Sequence, residues 1–271
     1  MPLARVVLYA ATLGVLVLTG RAVFGHPPPF VWAAFVLTGY AGLLLGGVLL
    51  LRWQVFVDAI VRGPRRARGV VLTFDDGPDP RWTPKILRTL AEHDAPATFF
   101  LVARKAEEHP EVVRAILDGG HCVGLHSYAH DRLFSLRTEQ RVRRDLVRGL
   151  GALEKLTGKR PTIFRPPVGH TNPIIGRVAD DLELTIVGWS VGGRDGVAGV
   201  RASDVVARVR RGLRDGAIVL LHDAAERGDR EPAAVHALPA ILDAIAAERL
   251  EVVALPRWLS DDDQEPTGSS T

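Results

Sequence analysis

Residues Phe30 to Leu51 form a run of 22 without a single charge. A run of this length can cross about 30 Å of hydrocarbon, where only a helix satisfies its own backbone polar groups. A second uncharged stretch, Val6 to Gly20, precedes it, with Arg21 and the turn-like GHPPPF between. The pair reads as a transmembrane helical hairpin, with spans at about residues 3–24 and 30–51 of a segment 1–52. Two other readings compete. The short first run, with Arg5 ahead of it, has the outline of a signal peptide but lacks a small-x-small cleavage site. A buried helix pair in a soluble protein also satisfies the pattern.

Charge is unevenly spread. Residues 1–69 carry seven arginines (Arg5, Arg21, Arg52, Arg62, Arg65, Arg66 and Arg68) against one acid, Asp58. That segment holds +6 of a total of +3, so the remainder carries −3. Five of the arginines follow the second run, and the positive-inside rule then places both termini in the cytoplasm. Residues 53–68 read as a basic juxtamembrane linker able to lie on anionic headgroups. The folded part has no clustered basic face, which excludes a nucleic-acid surface. The single cysteine, Cys122, rules out an internal disulfide and reads as a buried, inert thiol. Nothing in the sequence fixes the oligomeric state.

From Gly69 the pattern changes to short apolar runs alternating with amphipathic ones. Expected strands are Val70–Phe74, Ala97–Val102, Cys122–Leu125, Thr162–Phe164, Thr185–Trp189, Ile218–Leu221 and Glu251–Leu255. Helices are expected between them, the first capped by Thr83 with Pro84 at its first position. Such alternation predicts an α/β fold: a distorted (β/α) barrel of about seven strands over residues 69–260, with an open doubly wound sheet as the alternative. The acidic, polar tail 261–271 reads as disordered.

Chemistry-bearing residues fall at successive strand ends, where such folds build their sites. TFDDGP gives Asp75 and Asp76, HSYAH gives His126 and His130, and FRPPVGH gives Arg165. Trp189 ends the fifth strand, and VLLHD supplies His222 and Asp223. Two histidines four residues apart, with a carboxylate from a neighbouring strand, form a ligand set that leaves positions open for water. Zn²⁺ suits these ligand types best, and Co²⁺ or Mn²⁺ also fit. Asp223, directly after His222, reads as structural; His121 and His170 flank motifs and read as loop residues, with contact to substrate as the alternative, and His236 reads as solvent-facing.

TFDDGP, HSYAH, RPPVG and LLH, in this order and spacing, resemble the polysaccharide deacetylase family, the NodB-homology or carbohydrate esterase 4 domain. The resemblance covers roughly residues 69–256. It implies a distorted (β/α) barrel and metal-dependent hydrolysis of N-acetyl or O-acetyl groups on sugars, a hydrolase acting on carbon–nitrogen, non-peptide bonds. It further implies Asp75 as general base, Asp76, His126 and His130 as metal ligands, and Arg165 as the group holding Asp75. The backbone around Val168 would donate to the oxyanion, and His222 would be the general acid. Leu220 and Trp189 would line the pocket for the acetyl methyl.

Two motifs depart from the family pattern. Val168 stands where an aromatic is usual. The fourth motif, usually Asp-x-x-Asp-Trp, reads GGRDG, so Gly192 and Gly196 replace the first Asp and the Trp. Asp195 remains, as a residue able to orient a catalytic partner. The expected function is a membrane-anchored deacetylase of amino-sugar glycans such as peptidoglycan or chitin-like oligomers. The alternative is a lipid-linked sugar deacylase or deformylase at the membrane surface. A catalytically inactive carbohydrate-binding domain is the third reading; retention of acid, base and metal set argues against it.

Overall fold

A computed structural model describes residues 1–259 of the chain, so the expected tail at 261–271 lies outside the described residues. Two long apolar helices come first, α1 (Leu3–Val23) and α2 (Phe30–Leu49), and nearly all of their surface is exposed. They pack antiparallel, with Thr12 Oγ1 3.1 Å from Tyr40 Oη across the interface. Helices so apolar on every side have no amphipathic stripe to bury.

The domain that follows holds seven parallel strands: β1 (Val70–Asp75), β2 (Ala97–Leu101), β3 (Cys122–Leu125), β4 (Ile163–Phe164), β5 (Thr185–Ile186), β6 (Val191–Gly192) and β7 (Ala217–His222). They run in the order β5-β4-β3-β2-β1-β7-β6. Read around a circle this order is sequential, which is barrel topology and removes the doubly wound alternative. Helices α3 (Thr83–Glu92), α4 (Ala103–Glu108), α5 (Pro110–Asp118), α6 (Glu139–Thr157), α7 (Pro173–Asp181), α8 (Ala202–Gly212) and α9 (Ala234–Ala247) accompany the sheet.

Strand alternation sorts the core into two layers. Val70, Leu72 and Phe74 pack outward in the large cluster that includes buried residues of the helices. Val71 points inward with Phe100, Ile163, Val187 and Ile218, and Val253, Leu255 and Trp258 close that inner cluster. Along the same inward face of β1, Val71 is followed by Thr73 and then Asp75. The interior is thus apolar at its floor and polar at the C-terminal ends of the strands.

Several expectations are corrected. Glu251–Leu255 is not a strand: only Val252 bridges to Val70, and a 3-10 turn covers Leu255–Trp258. Its apolar residues fill the barrel floor, a role with the same hydrophobic pattern as a strand. The run Thr185–Trp189 ends as strand at Ile186, and β6 follows as a separate two-residue strand. Thr83 is the first residue of α3, not its cap; its hydroxyl instead donates to Asp223 Oδ2 at 2.5 Å and accepts from Asp79 N. Cys122 is only partly buried, and burial pushes its thiol up.

The stretch expected as a free linker joins the barrel. Leu51, Val55 and Val57 are buried. Ile60 pairs in parallel with Val187, and Arg62 pairs with Ala217 of β7. Residues 60–62 thereby bridge the gap left between β5 and β7 at the floor. Arg5, at the start of α1, donates to the carbonyls of Gln54 and Val55 and pairs with Asp58 at 2.9 Å. The hairpin is therefore clamped to the domain at both ends of its sequence.

Candidate active site

β1 delivers two carboxylates by different means. Asp75 points inward by simple alternation. Asp76 would then turn outward, but its backbone is left-handed at φ +74°, which swings its side chain back to the same side. Both carboxylates lie within 4 Å of His126 Nε2, Asp75 Oδ2 at 3.8 Å and Asp76 Oδ1 at 3.4 Å. Ser127, His130, Val168 and Arg194 also have positive φ, so strained backbone concentrates around this mouth.

Asp76, His126 and His130 offer ligand atoms within 4.8 Å of one another, and Asp76 Oδ1 is 3.1 Å from His130 Nε2. Asp76 Oδ1 and His130 Nδ1 are buried without a hydrogen-bond partner. His126 Nδ1 donates to the Arg165 carbonyl at 2.7 Å, so Nε2 of the neutral ring turns its lone pair towards Asp76. Acceptors facing each other in a buried space repel unless a cation sits between them. The donor set therefore fits a divalent metal ion. Where no cation intervenes, the rings serve instead as N–H donors: burial raises the Asp76 carboxyl, but hydrogen bonds from His126 and His130 hold it well below the usual carboxylate range.

Arg165 organises the layer beneath. It is fully buried above the Phe100 ring, its Cζ 4.2 Å from the ring centre. Its guanidinium donates to Asp75 Oδ1 at 2.7 Å, to Thr73 Oγ1, and to the carbonyls of Val187 and Gly188. Burial pulls its proton affinity down and Asp75 opposes that pull. One oxygen of Asp75 is thus committed, and the other faces the histidines.

On the opposite side, β7 carries Ile218, Leu220 and His222 on its inward face. Fully buried Asp195 accepts from His222 N at 2.7 Å through Oδ2, and from His222 Nδ1 at 3.1 Å through Oδ1. This holds Nδ1–H as a donor and leaves Nε2 free. Burial would lower the His222 pKa, but Asp195, with Asp76 and Asp75 behind it, pushes it up to about 10. Gly196 serves the same ring, since a Cβ there would lie 3.0 Å from His222 Cε1.

Trp189 stands between the two halves. Its ring lies against Gly169 and Gly192, and its centre is 5.7 Å from the Arg165 guanidinium carbon. Leu220 is nearly buried beside Gly192, its register partner. Val168 is exposed on the loop after Arg165.

Two supporting residues, Lys105 and Glu226, escape sequence reasoning, and Asp223 takes the structural part expected of it. Lys105 donates to the carbonyls of Asp76 and Ala225, tying two strand-end loops together. Glu226 Oε1 lies 3.6 Å from His130 Nδ1 and 2.8 Å from Arg132. Asp223 is buried against the Gly77 backbone, where any Cβ would collide with its carboxyl. Burial pushes that carboxyl up to about 7, against Thr83 and Lys105, in keeping with a structural part. His121 likewise accepts from Ala97 N and is structural, while His170 is half-buried on the Val168 loop with its pKa lowered by burial. His236 is exposed beside Glu231.

The polysaccharide deacetylase family profile matches residues 62–187. A peptidoglycan-N-acetylglucosamine deacetylase from Bacillus cereus is 34% identical over 194 residues, covering 72% of this chain and 69% of the relative. The chain belongs to the polysaccharide deacetylase family. It is a hydrolase, a carbohydrate deacetylase. A chitooligosaccharide deacetylase from Azorhizobium caulinodans is 36% identical over 155 residues, 57% of this deacetylase and 73% of the relative. A crystal structure of a peptidoglycan N-acetylglucosamine deacetylase superposes with a TM-score of 0.69 at 33% identity, covering 73% of this deacetylase and 91% of that chain. Membership explains why the strand-end motifs meet in one ring. The altered fourth motif lies beyond the profile match, so its consequences are read from the geometry here.

Proposed function

We propose that this deacetylase is membrane-anchored and metal-dependent, and that it hydrolyses acetamido groups of amino-sugar glycans, the substrate class named for its relatives. The observation that carries this is the convergence of Asp75, Asp76, His126, His130 and His222 on one mouth. A catalytically inactive binding domain has no use for a base, an acid and a ligand set together.

Asp76, His126 and His130 would hold the divalent cation, Zn²⁺ by ligand type, which supplies a Lewis acid that polarises the acetyl carbonyl and acidifies water. Asp75 takes the proton of the attacking water with the oxygen that Arg165 leaves free. The backbone at Val168 donates to the developing oxyanion. His222, held by Asp195, gives its Nε2 proton to the departing amine. Trp189 and Leu220 receive the acetyl methyl. Glu226 Oε1, 3.6 Å behind His130 Nδ1, is placed to accept from that ring once its other nitrogen holds the metal, as carboxylates commonly do for metal-bound imidazoles.

Anchoring is supported by the exposed apolar surface of α1 and α2. The clamp from Arg5 to residues 54–58 speaks against a cleaved signal peptide, because cleavage would break it. On this reading residues 1–50 are the anchor and the catalytic unit begins near Leu51.

Acetate release from chitooligosaccharides by the full chain, with and without a chelator, tests the reading. Activity is expected to vanish on chelation and return with Zn²⁺ or Co²⁺; acetate release that survives complete metal removal overturns it. Metal content measured alongside should fall to background in His126→Ala, and Glu226→Gln should weaken metal affinity by about 10- to 100-fold.

A second test addresses the acid. Removing the charge of Asp195 takes away the principal force that raises the His222 pKa, while burial continues to lower it. The general acid works only while protonated, so activity is lost as pH rises through its pKa. Asp195→Asn should therefore move the alkaline limb of kcat/KM down by at least about one pH unit. An unmoved limb would remove His222 from the acid role.

A further inference from the structure

The hairpin does not merely tether the catalytic domain; it is docked at the catalytic mouth. Val48 O, near the end of α2, accepts from Thr171 N at 3.0 Å on the loop that carries Val168. Leu51 is buried against Gly188, where a Cβ would lie 3.0 Å from Leu51 Cδ2. The lipid-facing helices therefore end where substrate must enter.

The exposed apolar side chains of the catalytic domain are placed accordingly. Leu133 and Leu136 follow His130, Val168 follows Arg165, and Val197 follows Asp195. Beyond the hairpin and its exit at Trp53, Val147 on α6 is the one large exposed hydrophobic elsewhere among the described residues. An apolar rim confined to the mouth suits a bilayer surface better than bulk water.

Between the end of α2 and the mouth lies a pocket of about 290 Å³, lined by Leu49, Leu50, Leu51, Arg52, Trp189 and Arg194. Arg52 and Arg194 are exposed, and neither guanidinium has a hydrogen-bond or ion-pair partner among the described residues. Two unpaired guanidiniums over a leucine floor match a phosphate attached to an apolar chain. Trp189 is shared: one side lines this pocket, the other meets Gly169 and approaches Arg165, which holds Asp75.

We infer that the substrate is a lipid-linked acetamido sugar presented at the bilayer surface. Its phosphate sits between Arg52 and Arg194, its lipid chain runs along Leu49 and Leu50 into the membrane, and its sugar passes Trp189 to Asp75. The inference rests on the deacetylase reading above. The reaction is the same hydrolysis, in which water and the acetamido group give acetate and a free amine.

The full chain in lipid nanodiscs provides the test, with acetate release measured from prenyl-diphosphate-linked N-acetylglucosamine and from chitotriose. Farnesyl phosphate, farnesol and inorganic phosphate serve as binding probes. The lipid-linked sugar should be preferred at least tenfold in kcat/KM. The double variant Arg52→Ala/Arg194→Ala should lose that preference through KM and weaken farnesyl phosphate binding at least about tenfold. Arg52→Lys/Arg194→Lys, which keeps both charges, should recover most of the binding. Equal use of both sugars, unchanged farnesyl phosphate affinity in the alanine variant, or inorganic phosphate binding as tightly as farnesyl phosphate would each overturn the inference. Acetate from neither sugar would instead overturn the acetamido-hydrolase reading, with the farnesyl phosphate arm still judging the pocket.

Discussion

Asp75→Asn is expected to keep its fold and its metal while acetate release falls by about 10²- to 10⁴-fold in kcat. The substitution is isosteric. The amide oxygen can still accept from Arg165, whose other contacts to Thr73, Val187 and Gly188 are untouched. What disappears is proton affinity on the oxygen that faces His126, 3.8 Å away. Asp76, the nearest other carboxylate, cannot take over, because its Oδ1 is directed at His126 and His130. Acetate release, metal content and circular dichroism on the same sample check the prediction. Full activity with metal bound would sink the base assignment, and loss of metal would show that Asp75 belongs to the ligand set.

Arg165→Met is expected to produce the largest loss of stability at any site residue, about 3–5 kcal/mol in denaturant unfolding. Arg165 has no solvent contact, so its removal strands the Asp75 carboxylate without a partner and water cannot readily compensate. Two backbone carbonyls, of Val187 and Gly188, lose their donors at the same time. Methionine replaces the packing over Phe100 but none of the hydrogen bonds. Arg165→Lys separates charge from geometry: an ammonium can reach one acceptor but cannot span Asp75, Val187 and Gly188 at once. It should therefore recover part of the stability and little of the activity. If Met costs less than about 1 kcal/mol, Arg165 is not the support argued here.

Much of the site was legible because its candidate ligands and acid–base residues come in short motifs anchored to strand ends. Asp75 and Asp76 end β1, His126 and His130 follow β3, and His222 ends β7; once the strands are recognised, the topology brings these ends together. Asp195 was legible as an orienting residue, although its two bonds to His222 were not. Lys105 and Glu226 were hidden for a physical reason. Lys105 acts through contacts to Asp76 and Ala225, 29 and 120 residues away, and Glu226 acts through a loop whose path has no periodicity. The apolar residues near Val253 were misread as a strand because a short continuous apolar run cannot distinguish a ladder from a plug. The two-residue β6 was too short for any pattern. The left-handed turn at Asp76 has no signature in the neighbouring residues, since aspartate only tolerates that conformation and does not require it.

Ile60 and Arg62 give the chain a particular order of events during synthesis. They leave the ribosome early, yet their partners Val187 and Ala217 follow more than 120 residues later. Contacts so distant in sequence close late. On the proposed topology the hairpin would meet the membrane well before the barrel can shut, so the catalytic domain completes itself while already held at the lipid surface. The nascent barrel keeps an unpaired edge until Ala217 emerges, and such edges are the exposed surfaces that nascent chains must protect.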